Sequence, residues 1–132
     1  MKTKKIDIII PAYNVPDKIL FRCLSSIACQ DIVDDLVVTI VDDCSPEENY
    51  LEVAKRFESL LEIQILKLEK NGGPGVARQA GIDNTENPYI TFIDADDTFD
   101  GAFALSTLRR VMELQSTTVI AGGLFNEVHE EG

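Results

Sequence analysis

Residues 89–97 read Tyr-Ile-Thr-Phe-Ile-Asp-Ala-Asp-Asp, and the predicted architecture follows from this run. Its first five residues have the β-branched and aromatic side chains that strands prefer, whereas three of its last four are carboxylates. A buried strand cannot hold three unpaired charges, so the acidic part must emerge where the strand ends. In an open α/β sheet, ligands bind at the carboxyl ends of the strands. The sequence therefore predicts a strand that leads directly into a binding site.

Asp94, Asp96 and Asp97 at this strand end are candidate metal ligands. In an extended chain the first two would point to one side and Asp97 to the other. Carboxylates this close repel each other unless a cation lies among them, and hard oxygen ligands suit Mg²⁺ or Mn²⁺. Alternatively, these residues are the acidic start of the next helix, with Thr98 or Asp100 as its cap. Spacing alone leaves both interpretations open.

Strands and helices alternate on both sides of this run. Short apolar segments with strand character occupy residues 6–10, 36–41, 63–68 and 117–121. Apolar residues recur at helical spacing in residues 16–30, after Ser45, after Pro74 and in residues 101–114. This pattern is typical of a three-layer α/β domain, with about five strands in a mostly parallel twisted sheet and helices on both faces.

Two local signals set predicted boundaries in this pattern. Pro11 should stop the first strand because it has no N–H to donate to a neighbouring strand. Ser45, Pro46 and Glu48 have the spacing of a capping box, which predicts that the second helix begins there.

Composition restricts the partners and the compartment. The 132 residues are 45% hydrophobic and carry a net charge of −11, which is typical of one globular domain. The excess of acid argues against nucleic acid or an anionic membrane as a direct partner. Cys23, Cys29 and Cys44 fit neither a disulfide framework nor a zinc pattern, which favours a reducing cytoplasm. The apolar run before Pro11 is too short for a signal peptide, and we expect no membrane span in this chain.

Four motifs resemble those of a known family. They are Ile-Ile-Ile-Pro-Ala-Tyr-Asn at 8–14, Val-Asp-Asp-Cys-Ser at 41–45, Asn-Gly-Gly-Pro-Gly-Val-Ala-Arg-Gln-Ala-Gly at 71–81 and Ile-Asp-Ala-Asp-Asp at 93–97. In order and spacing they resemble family 2 glycosyltransferases of the GT-A fold. The resemblance implies a nucleotide-diphospho-sugar donor, with a UDP-sugar expected, and a divalent metal, Mn²⁺ or Mg²⁺. It also implies an inverting transfer to a glycan or another hydroxyl acceptor.

The resemblance also implies a site for the nucleotide base. Pro11, Ala12 and Tyr13 would line its pocket, where Tyr13 offers the flat surface that a planar base needs. Asp43, or its neighbour Asp42, would accept the imide N–H of a pyrimidine base. The other member of this acidic pair would then help Ser45 to cap the second helix.

The remaining implied roles belong to the acidic run and to the third helix. Asp94 would reach the ribose, Asp96 would hold the metal on the diphosphate, and Asp97 would cap a helix rather than bind metal. Arg78 would pair with Asp94 or the diphosphate, unless it is an ordinary surface arginine. The family usually has Asn where this chain has Gln79, so no role is carried over to that position.

In this family a further part of the chain supplies the acceptor site and the carboxylate that acts as general base. No such base can be assigned in the polar tail, residues 126–132. We therefore expect residues 1–132 to be a single nucleotide-sugar-binding domain, the N-terminal part of a longer glycosyltransferase. Such a protein would be cytoplasmic, or held at the inner face of a membrane by parts outside this chain.

A non-catalytic nucleotide-sugar-binding module is the alternative function, because the general base is missing. A phosphoacceptor receiver domain is disfavoured, since the first strand ends in Pro-Ala-Tyr-Asn rather than in paired acids. The last predicted strand would leave an apolar edge at Leu124 and Phe125. Exposed edges and patches favour self-association, so a homo-oligomer is a further expectation.

Overall fold

A computed structural model describes residues 4–114, in which four strands and four α-helices alternate strictly along the chain. The strands are β1 (Ile6–Ala12), β2 (Leu36–Asp42), β3 (Glu62–Lys67) and β4 (Tyr89–Phe92). The helices are α1 (Asp17–Ala28), α2 (Tyr50–Lys55), α3 (Pro74–Asp83) and α4 (Ala104–Leu114), and a short 3₁₀ turn covers Val33–Asp35. None of the helices within residues 4–114 has the length and apolar character needed to cross a membrane.

The four strands form one parallel sheet in the order β3-β2-β1-β4. In its register, Ile6 of β1 lies between Leu36 of β2 and Tyr89 of β4. Since the strands are parallel, the carboxyl ends of β1, β2 and β4 meet at one edge of the sheet. The predicted parallel α/β architecture is confirmed, whereas the predicted strand at residues 117–121 lies outside the described residues.

Alternating side chains of β1 pack into two separate cores, one on each face of the sheet. Ile8 and Ile10 belong to a large core that includes Leu20 and Leu24 of α1, together with apolar residues of α2 and α4. Ile9 points to the opposite face, where it packs with Ala77 of α3. Full burial of an isoleucine stabilises a fold by about 1.5–3 kcal/mol, so this central strand contributes strongly to both cores. The protein is therefore three-layered, as predicted.

Helix α3 lies close to the sheet at Gly81, which is buried and has no side chain. A Cβ atom built on Gly81 would lie 2.5 Å from the Cγ2 atom of Ile9. Glycine at this position thus allows close contact between α3 and β1. Pro74 is the first residue of α3, as predicted from its fixed backbone angle.

The prediction that Pro11 ends the first strand is wrong. Pro11 lies within β1 and pairs in register with Val41 of β2. The O atom of Ile9 accepts from the N–H of Ile93 on the β4 side, and backbone groups two residues apart point the same way. The nitrogen of Pro11 therefore faces a position beyond Phe92, where β4 has ended. No hydrogen bond of the sheet is lost there, so proline is tolerated.

The predicted capping box at Ser45 is also wrong. Helix α2 begins at Tyr50, with Asn49 at the N-cap position and no side-chain cap. Ser45 instead hydrogen bonds to the loop that follows β1, and Glu48 forms an ion pair with Lys67 of β3 at 3.0 Å. Both side chains have partners outside the helix, so they are not available to its first turn.

Candidate nucleotide-binding site

A cavity of about 440 Å³ opens at the edge of the sheet where β1, β2 and β4 end. Its walls come from the loop after β1, from Asp43 after β2, from the start of α3 and from the turn after β4. The structure brings seven of the predicted site residues together in this lining: Pro11, Ala12, Tyr13, Asp43, Arg78, Asp94 and Asp96. A cavity of this size can hold a small organic ligand.

The loop after β1 presents an aromatic side chain at the rim of the cavity. Tyr13 is 52% exposed, so its ring is accessible to a planar ligand. The next residue, Asn14, has a φ of +51°, a left-handed conformation that is uncommon for residues with a side chain. Its backbone N–H donates to Oγ of Ser45 at 3.0 Å, which holds this loop against the loop after β2.

The carboxylate of Asp43 accepts two hydrogen bonds from the glycine-rich loop before α3. Oδ1 accepts from the N–H of Gly72 at 2.8 Å, and Oδ2 accepts from the N–H of Gly73 at 2.9 Å. Gly73 has a φ of +88° and is the N-cap of α3, so the carboxylate also lies at the positive end of that helix. These two donors were not predicted from the sequence, although Gly-Gly-Pro at the start of a helix is a signal for free backbone N–H groups.

Asp42 lies on the other face of β2, away from the cavity lining. Its Oδ2 accepts from the hydroxyl of Tyr50 at 2.7 Å, and its Oδ1 accepts from the N–H of Ser45 at 2.8 Å. Both Asp42 and Tyr50 are buried. The two neighbouring aspartates therefore have different partners: Asp43 contacts the cavity and α3, and Asp42 contacts α2 and the loop after β2. Neither carboxylate caps α2, because that helix begins beyond Ser45.

Arg78 crosses the cavity edge to the acidic turn. Its Nη2 lies 2.9 Å from Oδ1 of Asp94, which is one of the two pairings predicted for this residue. Both side chains are partly exposed, with 39% and 52% of their surface accessible. An exposed ion pair contributes little to stability, so we interpret this pair as a means of orienting both groups at the cavity.

The three aspartates after β4 converge instead of alternating. Strand β4 ends at Phe92, and the N–H of Asp97 donates to the O atom of Asp94 at 2.9 Å, which closes a turn. One carboxylate oxygen from each of Asp94, Asp96 and Asp97 lies within 4.8 Å of the others. The prediction that Asp97 points away is wrong, because side chains alternate only in extended chain. Since α4 begins only at Ala104, the turn is also not the first turn of the next helix.

A buried cysteine lies beneath this acidic turn. The thiol of Cys23, on α1, points to the backbone O atom of Asp94 at 3.9 Å. Burial first, and then the charges of Asp97, Asp96 and Asp94, raises the pKa of the Cys23 thiol to about 12. The thiol is therefore uncharged at neutral pH and adds no further negative charge to the turn.

Gln30, just beyond α1, anchors the segment that leads from the acidic turn to α4. It is buried, and its Nε2 donates to the O atom of Gly101 at 2.7 Å. Its Oε1 accepts from the N–H of Leu105 at 3.2 Å. The role of this glutamine was not predicted, since a polar residue near a helix end gives no signal of burial in the sequence.

These features together define a class of protein: a parallel α/β domain with an aromatic rim, a carboxylate on a glycine-rich loop and an acidic turn at one sheet edge. The model of glycosyl transferase family 2 matches residues 7–130 of the chain. The chain therefore belongs to glycosyltransferase family 2, and its fold is the GT-A fold of that family. The resemblance inferred from the four motifs is confirmed.

Individual relatives agree with this assignment. The chain is 34% identical over 95 residues to the poly(ribitol-phosphate) beta-N-acetylglucosaminyltransferase TarS of Staphylococcus aureus, covering 70% of this chain and 16% of TarS. It is 31% identical over 129 residues to the glycosyltransferase GlyA of Streptococcus pneumoniae, covering 97% of this chain and 18% of GlyA.

A solved structure gives the same result for the fold. S. aureus TarS 1-349 superposes with a TM-score of 0.75 at 29% identity, covering 83% of this chain and 32% of that structure. The same protein has been solved in complex with UDP-GlcNAc, with a TM-score of 0.74. This chain spans less than a third of each of these relatives.

Proposed function

We propose that this chain is the donor-binding part of an inverting glycosyltransferase that uses a nucleotide-diphospho-sugar, with a UDP-sugar as the expected donor. The acceptor is a glycan or another hydroxyl compound. The single observation that carries the proposal is the cavity that combines Tyr13, Asp43 and an acidic turn at one sheet edge. The complex of TarS with UDP-GlcNAc supports it, because that relative shares the fold at 29% identity.

Asp43 would recognise the nucleotide base. Both of its oxygens already accept from backbone N–H groups, but each carboxylate oxygen has a second lone pair. One of them can accept the ring N–H of uracil, whereas cytosine has no donor at that atom. Opposite cytosine this additional hydrogen bond is lost, and a hydrogen bond to a charged group contributes about 1.5–3 kcal/mol, so UDP should bind at least about tenfold more tightly than CDP. Guanine also has a ring N–H, which makes GDP the informative third nucleotide.

The acidic turn is suited to a divalent cation. Asp94, Asp96 and Asp97 offer three exposed carboxylate oxygens within 4.8 Å, which are the hard ligands that Mg²⁺ and Mn²⁺ prefer. Asp94 shares its charge with Arg78, so Asp96 would be the principal ligand. When bound, the cation supplies charge neutralisation for the leaving nucleoside diphosphate. Arg78 would add a fixed positive charge at the same side of the cavity.

Titration calorimetry with UDP, with and without Mn²⁺, tests this function. We expect UDP to bind clearly more tightly when Mn²⁺ is present, and this difference should disappear in Asp96→Asn. Asp83→Asn removes the same charge from the far end of α3, outside the cavity lining, and should behave like wild type. Equal UDP affinity with and without Mn²⁺ would refute the metal role, and no nucleotide binding at all would refute the donor site.

The general base is expected outside this chain. Each carboxylate in the cavity lining already has a role, since Asp43 holds the glycine-rich loop, Asp94 pairs with Arg78 and Asp96 is a metal ligand in this proposal. Transfer needs a base within hydrogen-bond reach of the acceptor hydroxyl. The 132-residue chain should therefore bind donor without transferring its sugar. A radiolabelled-donor transfer assay checks this, and multiple turnovers by the purified chain would contradict it.

A further inference from the structure

The two loops that carry the base-binding residues are joined by a chain of hydrogen bonds that starts in the core. Strands β1 and β2 pair as far as Ala12 and Asp42, and the last backbone bond runs from the N–H of Asp43 to the O atom of Ala12 at 2.9 Å. Beyond that point the two chains continue as separate loops. Tyr13 lies on one of them and Asp43 begins the other, so the spacing between the loops determines the shape of the base site.

Three consecutive hydrogen bonds lead from α2 to this gap, and the last of them crosses it. The Tyr50 hydroxyl donates to Oδ2 of Asp42 at 2.7 Å, and the N–H of Ser45 donates to Oδ1 of the same carboxylate at 2.8 Å. Oγ of Ser45 then accepts from the N–H of Asn14 at 3.0 Å. Helix α2, the loop after β2 and the loop after β1 are thereby connected through two side-chain groups, the Asp42 carboxylate and the Ser45 hydroxyl.

The local backbone shows that both loops are held in unusual conformations. Asn14 and Cys44 are the only non-glycine residues with positive φ between residues 4 and 114, at +51° and +62°. Each lies directly beside a predicted base-binding residue, Tyr13 or Asp43. Conformations of this kind persist only where the surroundings enforce them, and they are frequent at binding sites.

The interior end of this series of hydrogen bonds is held in place by burial. Asp42 and Tyr50 are 3% and 2% exposed, and a buried carboxylate is costly unless its oxygens accept hydrogen bonds. Burial, and then the bond to Asp42, raises the pKa of the Tyr50 hydroxyl, so it stays protonated and donates. Asp42 is thus tied to α2 on one side and to the Ser45 backbone on the other.

We propose that Asp42, Tyr50 and Ser45 are positioning residues that set the spacing between the loops after β1 and β2, and so the affinity for the nucleotide base. None of the three contacts the nucleotide in this proposal. It rests on the proposed donor site, and it gives Asp42 a role different from the base contact that the sequence left open. The part of the site that holds the diphosphate and metal is independent of this chain of bonds.

Two variants interrupt this series of hydrogen bonds at different points. Tyr50→Phe removes the hydroxyl and leaves Oδ2 of Asp42 without this partner. Ser45→Ala keeps the Ser45 backbone bond but removes the acceptor for Asn14. Ser45→Thr retains a hydroxyl and should keep the hydrogen bond from the N–H of Asn14. Thr39→Val is the control for stability. It removes the partly buried hydrogen bond that Nε2 of Gln64 donates to Oγ1 of Thr39 at 2.7 Å, on the same strand β2 but outside the cavity lining.

The first measurement is amide hydrogen exchange by NMR in the free protein. Tyr50→Phe should accelerate exchange at the amides of both Ser45 and Asn14 at least about fivefold. Their acceptors, the Asp42 carboxylate and the Ser45 hydroxyl, remain in this variant but are held less firmly. Ser45→Ala should accelerate exchange at Asn14 and leave the amide at position 45 unchanged. Thr39→Val should change neither. Unchanged exchange at Asn14 in both site variants would overturn the proposal, whether or not the protein binds a nucleotide.

The second measurement compares UDP with Mn²⁺-pyrophosphate in titration calorimetry. Tyr50→Phe and Ser45→Ala should each raise the Kd for UDP at least about fivefold, the equivalent of one lost hydrogen bond, with little change for Mn²⁺-pyrophosphate. Thr39→Val and Ser45→Thr should bind UDP like wild type. A parallel loss for both ligands, or none for UDP, would overturn the positioning role. A wild-type protein that binds no nucleotide would instead refute the donor site, and amide exchange then decides the loop connection alone.

Discussion

Replacing Asp43 by alanine should destabilise the protein and weaken nucleotide binding together, because one carboxylate serves both purposes. It accepts from the N–H groups of Gly72 and Gly73 at 2.8 and 2.9 Å and is itself only 4% exposed. Hydrogen bonds to a charged group contribute about 1.5–3 kcal/mol each, and water from the cavity would replace part of this in the variant. We therefore expect Asp43→Ala to lower the free energy of unfolding by about 2–4 kcal/mol.

Urea denaturation followed by circular dichroism measures this loss directly. Thermal unfolding should show a melting temperature lower by at least about 6 °C for a chain of this length. Asp83→Ala is the matched control, because it removes an aspartate at the other end of α3 whose side chain accepts from Nε2 of Gln79 and holds no loop. Its free energy of unfolding should stay within about 0.5 kcal/mol of wild type.

Asp43→Asn separates the two roles of this residue. The amide keeps one oxygen for the glycine-rich loop, so its loss of stability should be about half that of alanine. Its NH₂ group can donate to the ring nitrogen of cytosine, so the preference for UDP over CDP should fall. An Asp43→Ala protein as stable as wild type would refute the hydrogen-bond reasoning. An unchanged UDP preference in Asp43→Asn would refute base recognition by this residue.

Two further predictions follow from the packing around α3 and α1. Gly81→Ala should lower the free energy of unfolding by about 1–3 kcal/mol, because its methyl group would lie 2.5 Å from Cγ2 of the buried Ile9. Gly75→Ala on the same helix meets open space and should raise the free energy of unfolding by about 0.5–1 kcal/mol. Urea denaturation of both variants checks this, and changes of equal sign would contradict it. Cys23, with a pKa of about 12, should resist iodoacetamide at pH 8.5 while the exposed Cys44 reacts, as peptide mass spectrometry would show. Because the usual pKa of a cysteine thiol is 9.0, the stabilising contribution of the Cys23 thiol is lost as the pH rises from about 9 to 12.

The order of the strands and helices could be predicted from periodicity, because an apolar stripe or an alternating run depends only on neighbouring residues. Pro74 at the start of α3 and the strand before Asp94 are of this kind. The end of β1 could not be predicted in the same way. Whether Pro11 breaks a strand depends on which neighbour would accept its missing N–H, and that neighbour, β4, comes from a distant part of the chain.

The acidic turn shows the same limit at the site itself. The sequence predicts carboxylates at a strand end, and the structure has them there. The convergence of Asp97 with Asp94 depends on the turn that the backbone makes after Phe92, which alternation cannot anticipate. The capping motif at Ser45 failed for a related reason. Its hydroxyl had a competing partner, the N–H of Asn14, on a loop 31 residues earlier in the sequence.

By itself, the sequence determined the parallel α/β architecture, the family and the sheet edge at which the cavity lies, because strand periodicity and polar residues at strand ends are local properties. Only the tertiary structure decided which of two adjacent aspartates reaches the cavity. Alternation places Asp42 and Asp43 on opposite faces of β2, but it does not say which helix covers each face. Helix α2 covers one face with Tyr50, and the start of α3 covers the other with its free N–H groups. The helices that pack on each face therefore determine the different environments of the two carboxylates.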